Sequence, residues 1–407
     1  QRAPLFLAAS TLVTYGAGLA AERRTPAGRW AGWAAILAHV LLVAAWKWAP
    51  IGMQQADPAM NADAYIIPLG LSFYAFQSIA YVADVMKGKQ RAEKDIVRFA
   101  LFQAFLPKLA AGPIERGTGL LQQLQTVQPI TRTDVNEGIF LIVWGLVKKF
   151  TIAGGAALIA DPAFANPWGL GPYNILAVMA FALQLYADFS GYSDIARGAS
   201  RLLGFRLQMN FLRPFAAASP DDFWRRWHIT LSQWVRDYVY IPLGGNRKGE
   251  LRAALNVLLA MLIIGFWHGM ACTFVLWGLF QGVLTLAYRA GKGLFAMPKP
   301  LAVCGFFALN LIGWALFRSQ NLELFGMMMQ SALSPADSPA PVPYALVLLV
   351  ALAAPLAAVE WWQSRHGDDE APSRSAWYVL AAFYLFAFYA LLLGAPAHAA
   401  PFIYANF

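Results

Sequence analysis

The sequence has few charged residues and almost no cysteine. Of its 407 residues, 13% are charged and 59% are hydrophobic, whereas soluble globular domains carry about 25% charged residues. This composition excludes an ordinary water-soluble domain. The two cysteines, Cys272 and Cys304, both lie in apolar segments. The sequence therefore offers neither a disulfide framework nor a CxxC metal site, and we expect no metal.

Acidic residues are scarcer than basic ones. The chain has 22 Asp and Glu against 31 Lys and Arg, which gives a net charge of +9 and a pI of about 9.5. In a soluble protein this excess would suggest nucleic-acid binding. Here the apolar background favours another explanation, because Lys and Arg are enriched in the cytoplasmic loops of membrane proteins. We therefore expect membrane lipids, and no nucleic acid, as partners.

The sequence also lacks internal repeats, low-complexity runs and Ser/Gly linkers. No inverted duplication of the kind found in many transporters is visible. We therefore expect one domain covering residues 1–407. Because the chain starts at Gln1 and has no basic-then-apolar leader, we expect a trimmed start and no signal peptide.

Apolar stretches of about bilayer-crossing length recur along the chain, separated by short loops that hold most of the charge. The pattern predicts an all-α, polytopic membrane helical bundle of about ten spans. These spans are Ala3–Ala20, Trp30–Trp48, Ile66–Val85, Gly138–Ala160, Tyr173–Phe189, Leu251–Phe266, Met270–Ala287, Leu301–Phe317, Tyr344–Val359 and Trp377–Leu393.

Loop charge predicts the orientation of these spans. Four loops are rich in Lys and Arg and are expected in the cytoplasm: Glu22–Arg29, Lys87–Arg98, Arg197–Arg252 and Arg289–Lys299. The loops Ile51–Tyr65, Asp161–Pro172 and Ser319–Pro343 are poor in both residues. We therefore expect them, together with the C-terminus at Phe407, on the extracytoplasmic side.

The apolar stretch Ile96–Pro113 breaks this alternation if it crosses the membrane. It contains Pro107, Lys108 and Pro113, and irregular backbone at membrane depth requires cover from protein or a water-filled cavity. The sequence therefore predicts a re-entrant segment and a polar tunnel through the bundle.

Residues Gln184–Gly282 carry the most distinctive motifs. They read QLYADFSGYSDIARG, LLGFRLQMNFLRPF, DDFWRRWHITLSQWVRDYVYIPLGGNRKG and GFWHGMACTFVLWG. In these blocks, and above all in RDYVYIPLGGNRKG, the chain resembles the membrane-bound O-acyltransferase family, in particular its alginate O-acetyltransferase type. The resemblance implies a multi-pass bacterial inner-membrane enzyme that helps to acetylate an exported polysaccharide of the alginate, cellulose or peptidoglycan type.

Two histidines are the candidate catalytic residues. His268 lies between apolar spans, where an ionisable side chain is costly, and its imidazole suits a general base for a hydroxyl group. A purely structural hydrogen-bonding role is the alternative. The resemblance favours catalysis by His268 and implies that His228 is the second functional residue. Trp234 and Trp267 are expected to support them.

A dense group of cationic residues follows the same motifs. Arginine side chains bind phosphate groups bidentately, so the donor-binding candidates are Arg225, Arg226, Arg236, Asn246, Arg247 and Lys248. Acetyl-CoA is the expected co-substrate, with no permanently bound cofactor. Gly244 and Gly245 would let backbone N–H groups approach the donor. Positive-inside charge and binding of anionic lipids explain the same residues equally well.

Other polar residues support more than one interpretation. Asp188, Tyr192 and Asp194 are candidates for a tunnel-side hydrogen-bond network, although Asp194 fits a cap of the cytoplasmic segment slightly better. Cys272 lies four residues after His268, on the same face if the helix is regular, which makes a Cys–His acyl relay conceivable. A small buried hydrophobic role is the favoured interpretation of Cys272.

Two classes of function compete at this point. The first is the acetyltransferase, which works directly on polysaccharide or through a periplasmic partner that docks on the C-terminal PFIYANF segment. The second is a transporter of anionic or lipid-linked substrates, which would use the same arginines without making bonds. The lack of two related halves favours the first class.

Overall fold

The computed structural model describes residues 3–56, 70–126, 129–291, 297–336 and 342–394. Within these ranges the chain is helical and has no β-strand, which confirms the all-α prediction. Eight of the described helices are long and apolar enough to cross a membrane. The protein is therefore a multi-pass helical membrane protein.

The helices follow one another with short connections. They are α1 (Ala3–Glu22), α2 (Pro26–Ala56), α3 (Leu71–Met86), α4 (Ile96–Gln103), α5 (Leu106–Leu109), α6 (Arg132–Leu146), α7 (Gly154–Ala165), α8 (Tyr173–Leu202), α9 (Pro220–Trp224), α10 (Ile229–Val235), α11 (Glu250–His268), α12 (Cys272–Gly291), α13 (Lys299–Arg318), α14 (Leu322–Ala332), α15 (Val342–His366) and α16 (Trp377–Gly394). Short π-helices occupy Gly117–Leu121, Val147–Ala153 and Arg236–Tyr240, and 3₁₀ turns occupy Pro214–Ala216 and Ala371–Arg374.

Eight of the predicted spans coincide with the eight long apolar helices. The other two are also helices. The predicted span Ile66–Val85 corresponds to α3, which begins at Leu71 in the described part and has 16 residues; positions 66–69 lie outside the described residues. The predicted span Met270–Ala287 corresponds to α12, which is long enough to cross but less apolar.

The stretch predicted to be re-entrant is broken into short pieces. Helix α4 has 8 residues, which reach about 12 Å at 1.5 Å per residue and cannot span a bilayer core of about 30 Å. Helix α5 has only 4 residues and carries Lys108, which is 0% exposed. The Lys108 ammonium donates a hydrogen bond to Gln77 Oε1 on α3. Protein therefore covers this irregular backbone, as the re-entrant prediction requires.

Glycines bring α6 and α8 into backbone contact. A Cβ atom at Gly145 would lie 2.5 Å from the carbonyl oxygen of Gly191, and one at Gly198 would lie 2.6 Å from that of Gly138. Distances this short cannot be accommodated without moving a backbone. Small residues at helix interfaces permit this close approach in membrane proteins. Helix α8 is consequently the buried centre of the bundle.

A π-helix interrupts the long helix that runs from Arg132 to Ala165. Its consecutive lysines both face α8, where Lys148 pairs with Asp194 at 2.6 Å and Lys149 donates a hydrogen bond to Asp188. Segments of π-helix inside α-helices are frequent at functional sites. Here the wider turn lets two neighbouring cations reach two carboxylates on one helix.

Ion pairs join the loops at each end of the bundle. Arg289, from one predicted cytoplasmic loop, lies 2.6 Å from Asp221 in another. At the opposite end, Arg318 lies 3.3 Å from Asp161. Each ion pair therefore joins segments that the loop charge assigns to the same side, while the side of the membrane that each faces stays a prediction.

Candidate functional site

The first histidine lies in a short, tightly turned segment. Helix α9 begins at Pro220 after Ser219, whose hydroxyl accepts a hydrogen bond from the Asp222 N–H at 3.2 Å. His228 then adopts the left-handed conformation, with φ 41° and ψ 54°, immediately before α10. This backbone conformation is unfavourable for a residue with a side chain and persists only where the surroundings enforce it. The fold therefore fixes the position of His228.

The His228 side chain is buried among aromatic rings. It is 1% exposed and lies 4.8 Å from the Phe189 ring, measured between centroids. Its Nδ1 is 3.1 Å from the side-chain oxygen of Asn210. Burial lowers the pKa of His228 to about 3 because desolvation penalises the charged imidazolium. His228 is therefore neutral at physiological pH.

The second histidine is the last residue of α11. His268 is 4% exposed, and the helix ends because Gly269 is fully extended. The imidazole packs edge-to-face against Trp277 and Phe317, at centroid distances of 5.3 and 4.8 Å. The centroid of a Trp267 ring lies 4.7 Å from that of His268 and 6.2 Å from that of His228, so the indole packs against both imidazoles.

The two histidines line one enclosed cavity of about 10 Å³, roughly the space for one water molecule. The other lining residues are mostly aromatic or aliphatic: Leu185, Phe223, Trp224, Trp227, Leu231, Ile264, Trp277, Gln281, Trp314 and Phe317. The fold therefore brings together the two histidines that are 40 positions apart in the sequence. An apolar lining of this kind excludes bulk water from both imidazoles.

A larger groove lies beside this cavity. It has a volume of about 550 Å³ and is lined by Asp221, Trp224, Arg225, Ile229, Ser232, Gln233, Val235, Arg236, Tyr240, Val257, Ala260, Met261, Ile264, Thr285 and Arg289. Trp224 and Ile264 line both spaces. The groove therefore adjoins the histidine cavity at these two side chains.

The predicted donor-binding residues divide into two groups. Arg225 and Arg236 line the groove and are 70% and 59% exposed at their side chains. Arg226 does not line the groove. Its guanidinium is bonded to Asp222 at 2.9 Å and to the Leu212 carbonyl at 3.4 Å. It therefore braces the segment that precedes His228.

Asn246, Arg247 and Lys248 are exposed and lie outside the groove. They belong to a turn in which Gly244 and Gly245 have positive φ angles of 109° and 55°. The N–H groups of these glycines donate to the carbonyls of Ile241 and Tyr240. Both N–H groups donate hydrogen bonds within the turn. The structure therefore gives no support to the expectation that they approach a ligand.

The carboxylates predicted for a tunnel network lie on α8, away from the histidine cavity. Asp188 and Asp194 are bonded to the paired lysines of the π-helix. Asp194 cannot cap a segment end because α8 continues to Leu202; that preferred interpretation was wrong. Tyr192 contributes to the packing between the two hydrophobic cores. Trp234 is anchored on α3, where its indole N–H donates to the Phe76 carbonyl at 2.8 Å.

The expectation that Cys272 shares a helical face with His268 was wrong. Helix α11 ends at His268 and α12 begins at Cys272, so the two residues are not one turn apart on a single helix. Cys272 is also exposed, contrary to the buried role that we favoured. No acyl relay through this thiol is supported.

A second, polar cavity of about 30 Å³ lies on the other side of α8. It is lined by Leu141, Trp144, Lys148, Tyr186, Ser190, Asp194, Arg197, Phe211, Leu212, Arg213, Leu356, Glu360, Gln363 and Asp369. The Tyr186 hydroxyl donates a hydrogen bond to Glu360 on α15. Buried charges are tolerated where partners and hydrogen bonds compensate their desolvation. This cavity therefore supplies the polar interior that the membrane-embedded charges require.

Sequence reasoning missed three residues that contact the site. Lys47 lies in the predicted span Trp30–Trp48. An ionisable residue inside a span is rare and indicates a functional position, so the sequence alone could have identified it. Asn210 lies within the quoted block LLGFRLQMNFLRPF, but only the fold brings it to His228. Arg289 adds a third cation to the groove from the far end of α12.

The sequence matches a known protein family. A sequence profile described as "MBOAT, membrane-bound O-acyltransferase family" matches residues 94–325, a range that contains both histidines and the groove. A probable alginate O-acetylase of Pseudomonas syringae pv. tomato is 38% identical over 333 residues, which cover 79% of this chain and 63% of that protein. A probable alginate O-acetylase of Pseudomonas putida is 37% identical over 333 residues, or 79% of this chain and 68% of that protein.

A third relative is named for a different polymer. The peptidoglycan O-acetyltransferase of Helicobacter pylori is 37% identical over 290 residues, which cover 63% of this chain and 55% of that protein. The chain thus spans between about half and two thirds of the length of these relatives.

Proposed function

Because the chain belongs to the membrane-bound O-acyltransferase family, we propose that it transfers an acetyl group from acetyl-CoA to a hydroxyl group of an exported polysaccharide, directly or through a partner. One observation carries the proposal. The cavity that holds His228 and His268 adjoins an arginine-lined groove, and the two spaces share Trp224 and Ile264. A donor bound in the groove would thereby place its acyl group at the histidines.

The groove suits a phosphate-bearing donor in size and charge. Its volume of about 550 Å³ falls in the usual range for small-molecule and cofactor sites, roughly 300–1,000 Å³. Arg225, Arg236 and Arg289 bring guanidinium groups to its rim, and this group binds phosphate oxygens in a bidentate manner. The loops that carry these arginines are predicted to be cytoplasmic, where acyl-CoA donors are found.

His268 acts as the general base in this proposal. The acceptor hydroxyl gives its proton to His268 while its oxygen attacks the thioester carbonyl carbon. The carbon–sulfur bond then breaks, and the proton on His268 passes to the departing thiolate. The products are an acetyl ester and free CoA thiol, so the reaction balances without another reactant. The tight aromatic enclosure of the cavity excludes water, which would otherwise hydrolyse the thioester.

The acceptor is proposed from the relatives. Their names describe O-acetylation of alginate and of peptidoglycan, both of which are cell-envelope or exported polymers with free hydroxyl groups. We accordingly propose a bacterial inner-membrane location and a polysaccharide acceptor. Mass spectrometry of surface glycans from cells with and without the protein would identify the acetylated polymer, and identical glycan acetylation in both would contradict the proposal.

A direct assay separates acyl transfer from transport. Purified protein in lipid nanodiscs, supplied with acetyl-CoA and a polysaccharide acceptor, is expected to release free CoA thiol at a rate that depends on acceptor concentration. A transporter would release none. Empty nanodiscs supplied with the same acetyl-CoA and acceptor serve as the control for spontaneous hydrolysis. Equal thiol release by this control and by the wild-type protein would refute the proposal.

A partner is expected at the extracytoplasmic side. The aromatic, uncharged segment PFIYANF at positions 401–407 lies outside the described residues. We propose that it docks a periplasmic acetyltransferase, since aromatic residues are frequent anchors of protein interfaces. Deletion of Pro401–Phe407 should abolish partner co-purification and polymer acetylation while CoA thiol release by the purified chain persists. Unchanged co-purification by the truncated protein would contradict docking.

A further inference from the structure

The hydrogen bonds around His228 determine where its proton lies. The starting point is a backbone group, because an N–H can only donate. The Ile114 N–H donates to the Thr230 hydroxyl oxygen at 3.1 Å. The Thr230 hydroxyl in turn lies 3.0 Å from Asn210 Oδ1, to which it donates its own proton.

A second backbone group fixes the orientation of the Asn210 amide. The Thr230 N–H points at the same side-chain atom of Asn210, at 3.4 Å. The atom in that position must therefore be the carbonyl oxygen, since a side-chain NH₂ group would face two donors. The amide nitrogen is then directed to Ser193 Oγ, 3.4 Å away.

The tautomer of His228 follows from this orientation. Its Nδ1 lies 3.1 Å from Asn210 Oδ1, which accepts but cannot donate. Nδ1 must therefore carry the proton, and a neutral imidazole then has a bare lone pair on Nε2. His228 Nε2 is buried and has no hydrogen-bond partner among the described residues. An unsatisfied buried acceptor of this kind is unfavourable and requires a reason.

Main-chain hydrogen bonds hold Asn210 in place. The Ile229 N–H donates to the Asn210 carbonyl at 2.9 Å, and the Leu212 N–H donates to the Arg226 carbonyl at 2.9 Å. The two segments therefore run side by side, and Asn210 is 1% exposed. This pairing also stabilises the left-handed backbone at His228, which begins the next helix.

From this geometry we infer that Asn210 is a positioning residue, which locks His228 in the Nδ1–H tautomer so that its bare Nε2, in the cavity shared with His268, accepts a hydrogen bond from a donor group of the acceptor other than the hydroxyl that reacts. The inference rests on the proposed acyl transfer. His228 would thereby orient the acceptor, while the single proton of the reacting hydroxyl passes to His268. The buried Nε2 of His228 gains a hydrogen-bond donor when the acceptor substrate is bound.

The tautomer can be measured without any activity assay. The chain has five histidines, so labelling with ¹⁵N-histidine gives few ring signals, and protonated and bare ring nitrogens differ widely in chemical shift. The wild-type protein in nanodiscs is expected to show a protonated Nδ1 and a bare Nε2 for His228, whose signals are identified by their loss in His228→Gln. A protonated Nε2 in the wild-type protein would overturn the inference.

Variants of Asn210 test the consequence for turnover. Asn210→Leu removes the acceptor of the Nδ1 proton and is expected to convert a large fraction of His228 to the Nε2–H tautomer. It should also lower kcat by roughly 10–100-fold, in the range found for groups that orient catalytic or ligating histidines, while the KM for acetyl-CoA stays near the wild-type value. Asn210→Asp keeps an acceptor oxygen and should retain the Nδ1–H tautomer.

Asn174 supplies the matched control. It is 0% exposed, and its amide donates to the Pro167 carbonyl at 2.8 Å, away from both histidines. Asn174→Leu should leave the His228 signals and kcat unchanged. If Asn210→Leu retains both the wild-type tautomer and the wild-type kcat, the inference fails. If Asn210→Leu does not fold, loss of the Nδ1–H tautomer in Asn210→Asp would overturn it, and its retention would support it.

Failure of the proposed function would look different. Wild-type protein that releases no CoA thiol with any acceptor would contradict acyl transfer. The tautomer measurement would still decide whether Asn210 positions His228.

Discussion

The ammonium of Lys47 on α2 donates a hydrogen bond to the main-chain carbonyl of Trp267 on α11, and it lies 4.9 Å from the centre of the same indole ring. The carbonyls in the last turn of a helix have no partner within the helix, and cations stabilise this end. His268 is the next residue. A side chain from the second helix of the chain therefore holds the helix end that carries the proposed base.

Removal of the Lys47 charge should weaken this helix end. Lys47→Met keeps the apolar stem but leaves the Trp267 carbonyl without its donor, which is expected to cost about 1–3 kcal/mol of stability and to lower kcat. Lys47→Arg keeps both the hydrogen-bond donor and the charge, so its stability and kcat should stay close to those of the wild-type protein. Thermal unfolding in nanodiscs and CoA thiol release would measure the effects. Lys94→Met, at an exposed position, is the control, and equal stability of the two Met variants would contradict the role of Lys47.

His268 should be needed for the chemical step and not for folding. His268→Gln keeps a hydrogen-bonding side chain of similar reach but cannot take a proton at neutral pH, so kcat should fall by roughly 10²–10⁴-fold. Expression and acetyl-CoA affinity should stay close to wild type. His366, which is exposed at the end of α15, provides a control through His366→Gln. Near wild-type turnover by His268→Gln would make this residue structural and leave His228 as the candidate base.

The groove arginines should affect donor binding more than turnover. Arg225→Gln and Arg236→Gln each remove a cation from the groove, so each should raise the KM for acetyl-CoA several-fold with little change in kcat, the pattern of lost uniform binding. The difference in KM between each variant and the wild-type protein should be smaller at high salt, because exposed charges are screened. Lys248→Gln changes an exposed cation outside the groove and should leave KM unchanged. An equal rise in KM for Lys248→Gln would indicate a general surface effect.

The glycine contacts between α6 and α8 should be sensitive to any added side chain. Gly145→Leu would drive a side chain into the α8 backbone at Gly191 and should destabilise the bundle by several kcal/mol, since overpacking of a rigid interface typically costs about 1–3 kcal/mol or more. A Cβ atom at Gly305 would meet no other atom within 4 Å, so Gly305→Leu is the control. The two variants would be compared by thermal unfolding and by the yield of folded protein. Equal stability and yield of Gly145→Leu and Gly305→Leu would contradict the backbone contact.

The orientation can be tested by labelling single cysteines in a variant that carries Cys272→Ser and Cys304→Ser. Lys89→Cys and Glu323→Cys place thiols in loops that are predicted to lie on opposite sides of the membrane. A membrane-impermeant maleimide applied to intact spheroplasts should label Glu323→Cys alone, and Lys89→Cys should react only after permeabilisation. Labelling of both positions from the outside would contradict the predicted topology.

The fold was largely predictable because each span is a local property of the sequence. Apolar length and loop charge are read along the chain, so helices such as α11 and α13 agreed with their predicted bounds to within a few residues. The end of α8 was missed because polar residues after Phe189 suggested a loop. In the structure one of these residues, Asp194, pairs with Lys148 of a neighbouring helix, and that pairing compensates its burial.

The site was only partly predictable. The two histidines were visible because each is an unusual residue in its surroundings, and the family resemblance identified both. Asn210 and Lys47 were not identified because their importance depends on which distant segments the fold brings beside them. The sequence also did not show which of the six donor-binding candidates share a surface. Of these six, Arg225 and Arg236 line the groove.

The π-helix at Val147–Ala153 also determines in which direction around the helix axis each residue of the following α7 points. Each residue of an α-helix advances the chain by about 100° around the axis, so a chain shorter by one residue here would rotate α7 by that angle. Gly155, which now packs against Leu352 of α15, would turn toward a different neighbour. Insertions and deletions within this stretch are therefore expected to be far less tolerated than substitutions, because one residue more or fewer would misplace half of a membrane-crossing helix.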